Sequence, residues 1–301
     1  MTGHTTHQPV PPSGYGARVV SIDTLHSLAP TAADPPVSAG GQVTTPVAAL
    51  SPQQVADRLA LAHWPWGHQI LVCSLAGGVG RTTVSGLLAT VLAELSFAHI
   101  WPPIALAEHA SHSFSRTAQR WDVVTADTDD SEPACTRSGA WVFTEGQSIA
   151  RREAFSTIVI DAVPGLPSGH HTVAVDPRAS ILLLVRPDRA SLAEAADVLV
   201  WMHDQQLVAR SRVVVLINHT SISSSDPATR AAATALATRC AGVHRLPFHP
   251  ALGPGRPLPS GGDLPIRIRR VIARTALDLW GTATGRPIPY PVRPVHTEES
   301  V

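Results

Sequence analysis

Apolar and polar positions along this chain fall into two alternating regimes. Short runs rich in Ile, Val and Leu occur at Gln69–Ser74, Ile104–Ala107, Ala140–Thr144, Thr157–Asp161, Ser180–Arg186, Arg212–Asn218 and Val243–Leu246. They are apolar on both faces, as strands buried between two helix layers must be. Between them, Thr82–Leu95, Leu192–Asp204, Pro227–Arg239 and Ile266–Trp280 carry helical spacing. Helix-start signals sharpen this pattern. Ser51 with Pro52 and Gln54 makes a capping box, Ser191 with Glu194 a second, and Asp226 precedes Pro227. This βα alternation predicts an α/β fold: a doubly wound, mostly parallel sheet of about seven strands flanked by helices, with ligands at the carboxyl ends of the strands.

The two ends of the chain lack such periodicity. Residues 1–50 carry only Arg18, Asp23 and Asp34 as charges among many Pro, Gly, Ser and Thr, and predict a disordered tail. The short apolar run Ala17–Leu25 within it reads as a slightly sticky piece of tail. Residues 51–66 predict a lead-in helix closed by Trp64-Pro65-Trp66-Gly67, residues 67–285 the domain itself, and residues 286–301 a second Pro-rich disordered tail.

Charge narrows the chemistry. The 23 basic residues balance 23 acidic ones, so the molecule as a whole has no broad pull towards nucleic acid or anionic membrane. Every basic residue is Arg, which excludes Lys as a phosphate clamp, Schiff base or general base. With 27 Pro and abundant Ala, the absence of Lys fits the coding bias of a GC-rich genome. Cys73, Cys135 and Cys240 are odd in number and widely spaced, giving neither a disulfide framework nor a CxxC pair. No basic-then-apolar leader opens the sequence, and no apolar stretch approaches a membrane span, so a cytoplasmic location is expected.

The strongest local signal follows the first strand: Ile70-Leu71-Val72-Cys73-Ser74-Leu75-Ala76-Gly77-Gly78-Val79-Gly80-Arg81-Thr82-Thr83-Val84. A buried strand enters a Gly-rich turn that opens directly into a helix. Backbone N–H groups and the positive helix end then converge on one spot, which makes an anion site. Glycines let the backbone wrap phosphate oxygens closely, and Thr82 is placed to coordinate Mg²⁺.

Gly77-Gly78-Val79-Gly80-Arg81-Thr82-Thr83 resembles the deviant Walker A loop of the ParA/MinD-like P-loop NTPases of the SIMIBI class, and the resemblance extends over residues 67–281. Phe155–Gly165 is similar to that family's Walker B strand, and the resemblance implies that Asp161 holds Mg²⁺ through water. Val213–Asn218 looks like the strand whose terminal Asn218 reads the adenine. Leu246–Leu252 resembles the Pro-containing segment that closes over the base. The resemblance thus implies ATP and Mg²⁺ as cofactors. It assigns nucleotide contacts to Gly77, Gly78, Val79, Gly80, Arg81, Thr82, Thr83 and Asn218, and metal contacts to Thr82 and Asp161.

The departures from the family pattern bear on activity. Ala76 stands where the family has its dimer-spanning Lys, and Arg81 where P-loops carry their phosphate Lys. Arg keeps the charge but is planar and bulkier than an ammonium. In the second strand, Glu108 and Ala110 occupy the Asp-x-Asp positions, so the group that helps place the attacking water is missing. No catalytic residue is assigned on this basis. A degenerate member from a GC-rich bacterium is expected: a nucleotide-binding switch or scaffold with little or no hydrolysis that positions a larger assembly through a protein partner, a homodimer, or both. Two alternatives stand beside it, an active ATPase that binds DNA non-specifically and a nucleotide-free interaction protein.

Two lesser features complete the sequence. Arg267, Arg270 and Arg274 form a stripe opposite Ile268, Ile272 and Leu279, a candidate for non-specific DNA contact against the plainer reading of a solvated face. The pair His170-His171 follows the Walker B-like turn, but no His or Cys spacing suits zinc.

Overall fold

The computed structural model describes residues 50–62, 64–97, 103–108, 119–124, 134–143, 154–162, 179–222 and 226–285. The expected tails (save Leu50), the run Ala17–Leu25, Ala110 and the pair His170-His171 lie outside these residues.

All seven predicted apolar runs form strands. These are β1 (His68–Ser74), β2 (Ile104–Glu108), β5 (Trp141–Phe143), β6 (Thr157–Asp161), β7 (Ala179–Val185), β8 (Val213–Asn218) and β9 (Gly242–Leu246). Two shorter strands, β3 (Val123–Val124) and β4 (Ala134–Thr136), are additions to the expected set. Runs of two and three residues are too brief to show a period. The nine strands among the described residues make one sheet in the order β3-β4-β5-β2-β6-β1-β7-β8-β9. Its members from β5 to β9 run parallel, and β3 and β4 add an antiparallel edge.

Among the described residues, five α-helices accompany the sheet: α1 (Pro52–Ala60), α2 (Arg81–Phe97), α3 (Arg189–Asp204), α4 (Pro227–Leu236) and α5 (Ile266–Thr284). Alternate residues of each central strand feed two separate cores, as the two-residue period of a strand requires. Ile70, Val72, Leu182, Leu184 and Leu216 pack with Leu87 and Leu88 of α2 and Ile272 and Ala276 of α5. Leu71, Cys73, Leu183 and Ile217 face the other way, towards Leu192 and Leu199 of α3 and Leu236 of α4. The sheet is therefore wound on both faces.

The caps explain where helices begin. Ser51 and Gln54 make the reciprocal capping box of α1, with Gln54 N to Ser51 Oγ at 3.2 Å and Ser51 N to Gln54 Oε1 at 2.8 Å. Asp226 caps α4 by accepting from Thr229 N at 2.6 Å. The expectation for α3 needs correction. Ser191 is not its cap; Asp188 is, accepting from Ser191 N at 2.8 Å and Ser191 Oγ at 2.9 Å. A carboxylate that takes both bonds displaces a hydroxyl one turn later, and α3 begins at Arg189. Leu50, grouped by sequence with the tail, is buried, and its carbonyl accepts from Arg274 Nη2 at 2.6 Å.

On the last strand, a Cβ at Gly242 would overlap the carboxylate of Asp278 in α5. That carboxylate lies 2.7 Å from His244 Nε2, so a strand and a helix meet here through a pair of polar side chains. No described helix is long and apolar enough to cross a membrane.

Close packing also constrains Gly86 in α2, where two side chains crowd the same point. A Cβ there would lie 2.5 Å from Leu258 Cδ1 and 2.6 Å from Trp121 Cδ1. In an open helix, Gly→Ala stabilises by up to about 1 kcal/mol. Here overpacking outweighs that gain, and Gly86→Ala should destabilise by roughly 1–3 kcal/mol. The check is the urea midpoint at constant m-value. Gly77→Ala, with nothing within 4 Å of the added methyl, should leave that midpoint unchanged.

Candidate functional site

The turn between β1 and α2 is held from below. Val79 is buried, while Gly77 and Gly78 before it are exposed or nearly so. Gly78 and Gly80 adopt φ of 73° and 84°, a region that side-chain-bearing residues rarely enter. At Gly80 a second constraint applies, since an added Cβ would sit 2.6 Å from Asn218 Nδ2. That amide nitrogen, at the end of β8, donates to Val79 O at 2.7 Å. Arg81, Thr82 and Thr83 then occupy the first turn of α2, where helical N–H groups have no intrahelical acceptors. The fold thus gathers Gly77, Gly78, Val79, Gly80, Arg81, Thr82, Thr83 and Asn218 into one place. Asn218 sits against the loop backbone itself.

Parallel register brings the acids to the same end of the sheet. Asp161 pairs with Val72 on one side and Glu108 on the other. Thr82 Oγ1 donates to Asp161 Oδ2 at 2.7 Å and Ser85 Oγ to Oδ1 at 3.4 Å. Burial pushes the Asp161 carboxyl up to about 6, against the lowering effect of the Thr82 bond and the Arg81 charge; neighbouring Glu108 adds to the rise. Burial also lowers the Arg81 guanidinium, with Asp161 and Cys73 pulling the other way. Burial holds the Cys73 thiol at about 12, so it is neutral beside this pair.

Arg81 Nη1 is buried and, among the described residues, has no hydrogen-bond partner. An orphaned donor on a buried cation is costly unless something fills it. Beside it stands a desolvated carboxylate that gains from a cation. Phosphate oxygens suit the first and a divalent ion the second, so these residues fit a nucleotide phosphate with Mg²⁺. Among the described residues no three His, Cys, Asp or Glu side chains cluster as a metal cage. The ion would accordingly rest on Thr82 and Asp161, with phosphate and water completing its oxygen shell.

Ala76 packs partly buried against the core, and its carbonyl accepts from Ser74 Oγ at 2.8 Å. The arginine stripe is divided. Arg267 and Arg270 lie towards solvent, whereas Arg274 turns inward to Leu50 O.

Three neighbours of the loop carry roles that the sequence did not assign. Ser85 had a usable signal, lying three residues beyond Thr82 and so on the same helix face. Arg120 and Trp121 had none, because they arrive from the approach to β3. Trp121 Nε1 donates to Thr82 O at 2.8 Å. Arg120, also buried, donates from Nη2 to Thr83 Oγ1 at 2.8 Å and Leu252 O at 2.6 Å, from Nη1 to Gly253 O at 2.9 Å and to Arg256 O, and from Nε to Thr83 Oγ1 at 3.3 Å.

No protein-family profile matches the chain, and no curated protein sequence matches it. Solved structures do. MinD cell division protein from Aquifex aeolicus is 17% identical with a TM-score of 0.50, the match covering 74% of this chain and 100% of that one. A variant of McdA from Cyanothece, in complex with ATP, is 13% identical with a TM-score of 0.49, covering 73% and 97%. A ParA family ATPase from Chlorobium tepidum is 10% identical with a TM-score of 0.49, covering 70% and 97%. With a parallel sheet wound on both faces and a glycine loop leading from its first strand into a helix, the chain has the ParA/MinD-like P-loop fold.

Proposed function

We propose that this protein is a nucleotide-binding switch of the ParA/MinD type that takes ATP with Mg²⁺, hydrolyses it little or not at all, and positions a larger assembly through a protein partner or a second copy of itself. The buried, unpartnered Arg81 Nη1 beside Asp161 carries the reading, because it is a cation with room for an anion at a loop shaped for phosphate. In this reading the amides of the Gly78–Thr83 turn and the Arg81 guanidinium bind phosphoryl oxygens. Thr82 Oγ1 and Asp161, already joined by a hydrogen bond, hold the ion. Bound Mg²⁺ would offset phosphate charge. In the same reading, Asn218 and the Leu246–Leu252 segment would contact the base, as the family resemblance implies.

Weak turnover is supported by what the loop lacks. Ala76 offers a methyl group packed against the core in place of a charge. Arg81 supplies charge in a planar fork bulkier than the compact ammonium that would fit between phosphate oxygens.

Two outcomes test this. The first is pH. Because Asp161 is raised from 3.8 to about 6 in the fold, the folded state binds its proton more tightly than the unfolded chain. Metal-free stability should then fall as pH rises from about 4 to 6 and level off above, by on the order of 3 kcal/mol. Asp161→Asn should flatten that slope, and stabilisation by Mg²⁺–ATP should grow between about pH 5 and 7 as the proton leaves. Thermal melts with and without ligand read both, and a Mg²⁺ effect independent of pH would exclude Asp161 as its ligand.

The second is hydrolysis. Phosphate release by the native protein at saturating ATP should stay near background. Arg81→Lys should tighten ATP binding without restoring turnover, which should need Ala76→Lys and Ala110→Asp together with it, since such groups act as a unit. A native rate typical of working enzymes, with kcat on the order of 1 per second or more, would overturn the weak-turnover reading and leave nucleotide binding intact.

A further inference from the structure

Arg120 joins two parts of the molecule that the chain itself keeps far apart. Its guanidinium donates to the carbonyls of Leu252, Gly253 and Arg256 in the segment after β9, and to the hydroxyl of Thr83 in the first turn of α2. Leu258 N donates back to Arg120 O at 2.8 Å, so the segment is gripped by side chain and backbone together. Trp121 closes the junction by bonding Thr82 O and packing with Leu258 against Gly86.

The chemistry of this grip is particular. The guanidinium is a rigid planar fork, and its hydrogen bonds fall on two separate elements. None of these partners is a carboxylate; they are carbonyl dipoles and one hydroxyl. Among the described residues the positive charge is thus held by dipoles and not by an ion pair, one hydroxyl away from the phosphate loop. Thr83 Oγ1 accepts from both Nε and Nη2, which leaves its own proton free to donate elsewhere. Any shift of the 252–258 segment must be transmitted to Thr83, and any shift of Thr83 to that segment.

We propose that Arg120 is a positioning residue that locks the 252–258 segment, which continues directly from the Leu246–Leu252 run likened to the base-closing segment, to the first turn of α2, so that the phosphate end and the base end of a bound nucleoside triphosphate are engaged as one event. This rests on the nucleotide reading above and adds a coupling residue to it.

The test uses the full chain and two probes, Mg²⁺–ATP and Mg²⁺–tripolyphosphate, which share the phosphates and differ in the nucleoside. The native protein should prefer ATP. Arg120→Gln should cut that preference by roughly tenfold or more, the worth of a charged hydrogen bond, while tripolyphosphate affinity changes by less than about threefold. Arg120→Lys should not rescue it, because an ammonium lacks the fork. Hydrogen exchange gives a second readout. Saturating tripolyphosphate should slow exchange at the amides of Gly253 and Leu258 in the native protein and not in Arg120→Gln. Thr83→Val leaves the three carbonyl bonds intact and removes the hydroxyl that ties Arg120 to α2, so, at tripolyphosphate concentrations that saturate this variant, it should weaken this protection even where Arg120→Gln folds poorly. Parallel weakening of both ligands, or undiminished protection in Thr83→Val, would overturn the coupling while leaving the nucleotide reading in place. Binding of neither ligand to the native protein would overturn both.

Discussion

Everything at the carboxyl end of the sheet depends on the register in which β1 lies beside β6. Val72 opposite Asp161 puts the carboxylate level with the point where β1 gives way to the glycine turn. A slip of one residue would send the Asp161 side chain to the opposite face of the sheet, away from Thr82. The register is fixed by two apolar layers at once, since residues of odd and even position along β1 serve different cores. A slip would therefore disrupt both. Glu108, in step on the next strand, follows from the same alignment.

That alignment creates an electrostatic problem that the residues solve only in part. Two buried acids and a half-buried guanidinium stand together. Thr82 and Ser85 answer some of the need of Asp161 for donors, and Arg81 answers some of its need for charge. The remainder is the raised carboxyl and the unfilled Nη1. In a chain whose cations are all arginines, the site cannot be tuned by a compact ammonium. The arrangement that results is a broad planar donor beside a carboxylate poised near neutrality. Arg120 extends the same theme, as a buried guanidinium satisfied by backbone dipoles and a hydroxyl.

Much of this was legible before the structure. Five of the seven runs, those of β1, β2, β6, β7 and β8, announced their strands because full burial on both faces leaves no polar alternation to mislead, whereas β5 and β9 are only partly buried. The glycine turn was legible because Gly78 and Gly80 are needed for backbone conformations that few other residues accept. Ser51 and Asp226 declared their caps through short-range chemistry. What stayed hidden was set by tertiary contact. Asp188 prevailed over Ser191 because a carboxylate could take both bonds, which spacing alone does not weigh. The role of Arg274 depended on where Leu50 happened to lie. Arg120 and Trp121 carry no local pattern at all; their meaning emerges only when the 252–258 segment folds back across α2.

The polar seam between β9 and α5 has a consequence for how this protein can change over time. Gly242 has no room for a methyl group as long as Asp278 keeps its carboxylate against His244. The three positions therefore form one evolutionary unit. A lineage that trades the glycine for any larger residue must first shorten or turn away the acid, and the histidine then loses its partner in a half-buried setting. Drift at the last strand should proceed by coordinated replacement of all three, or scarcely at all.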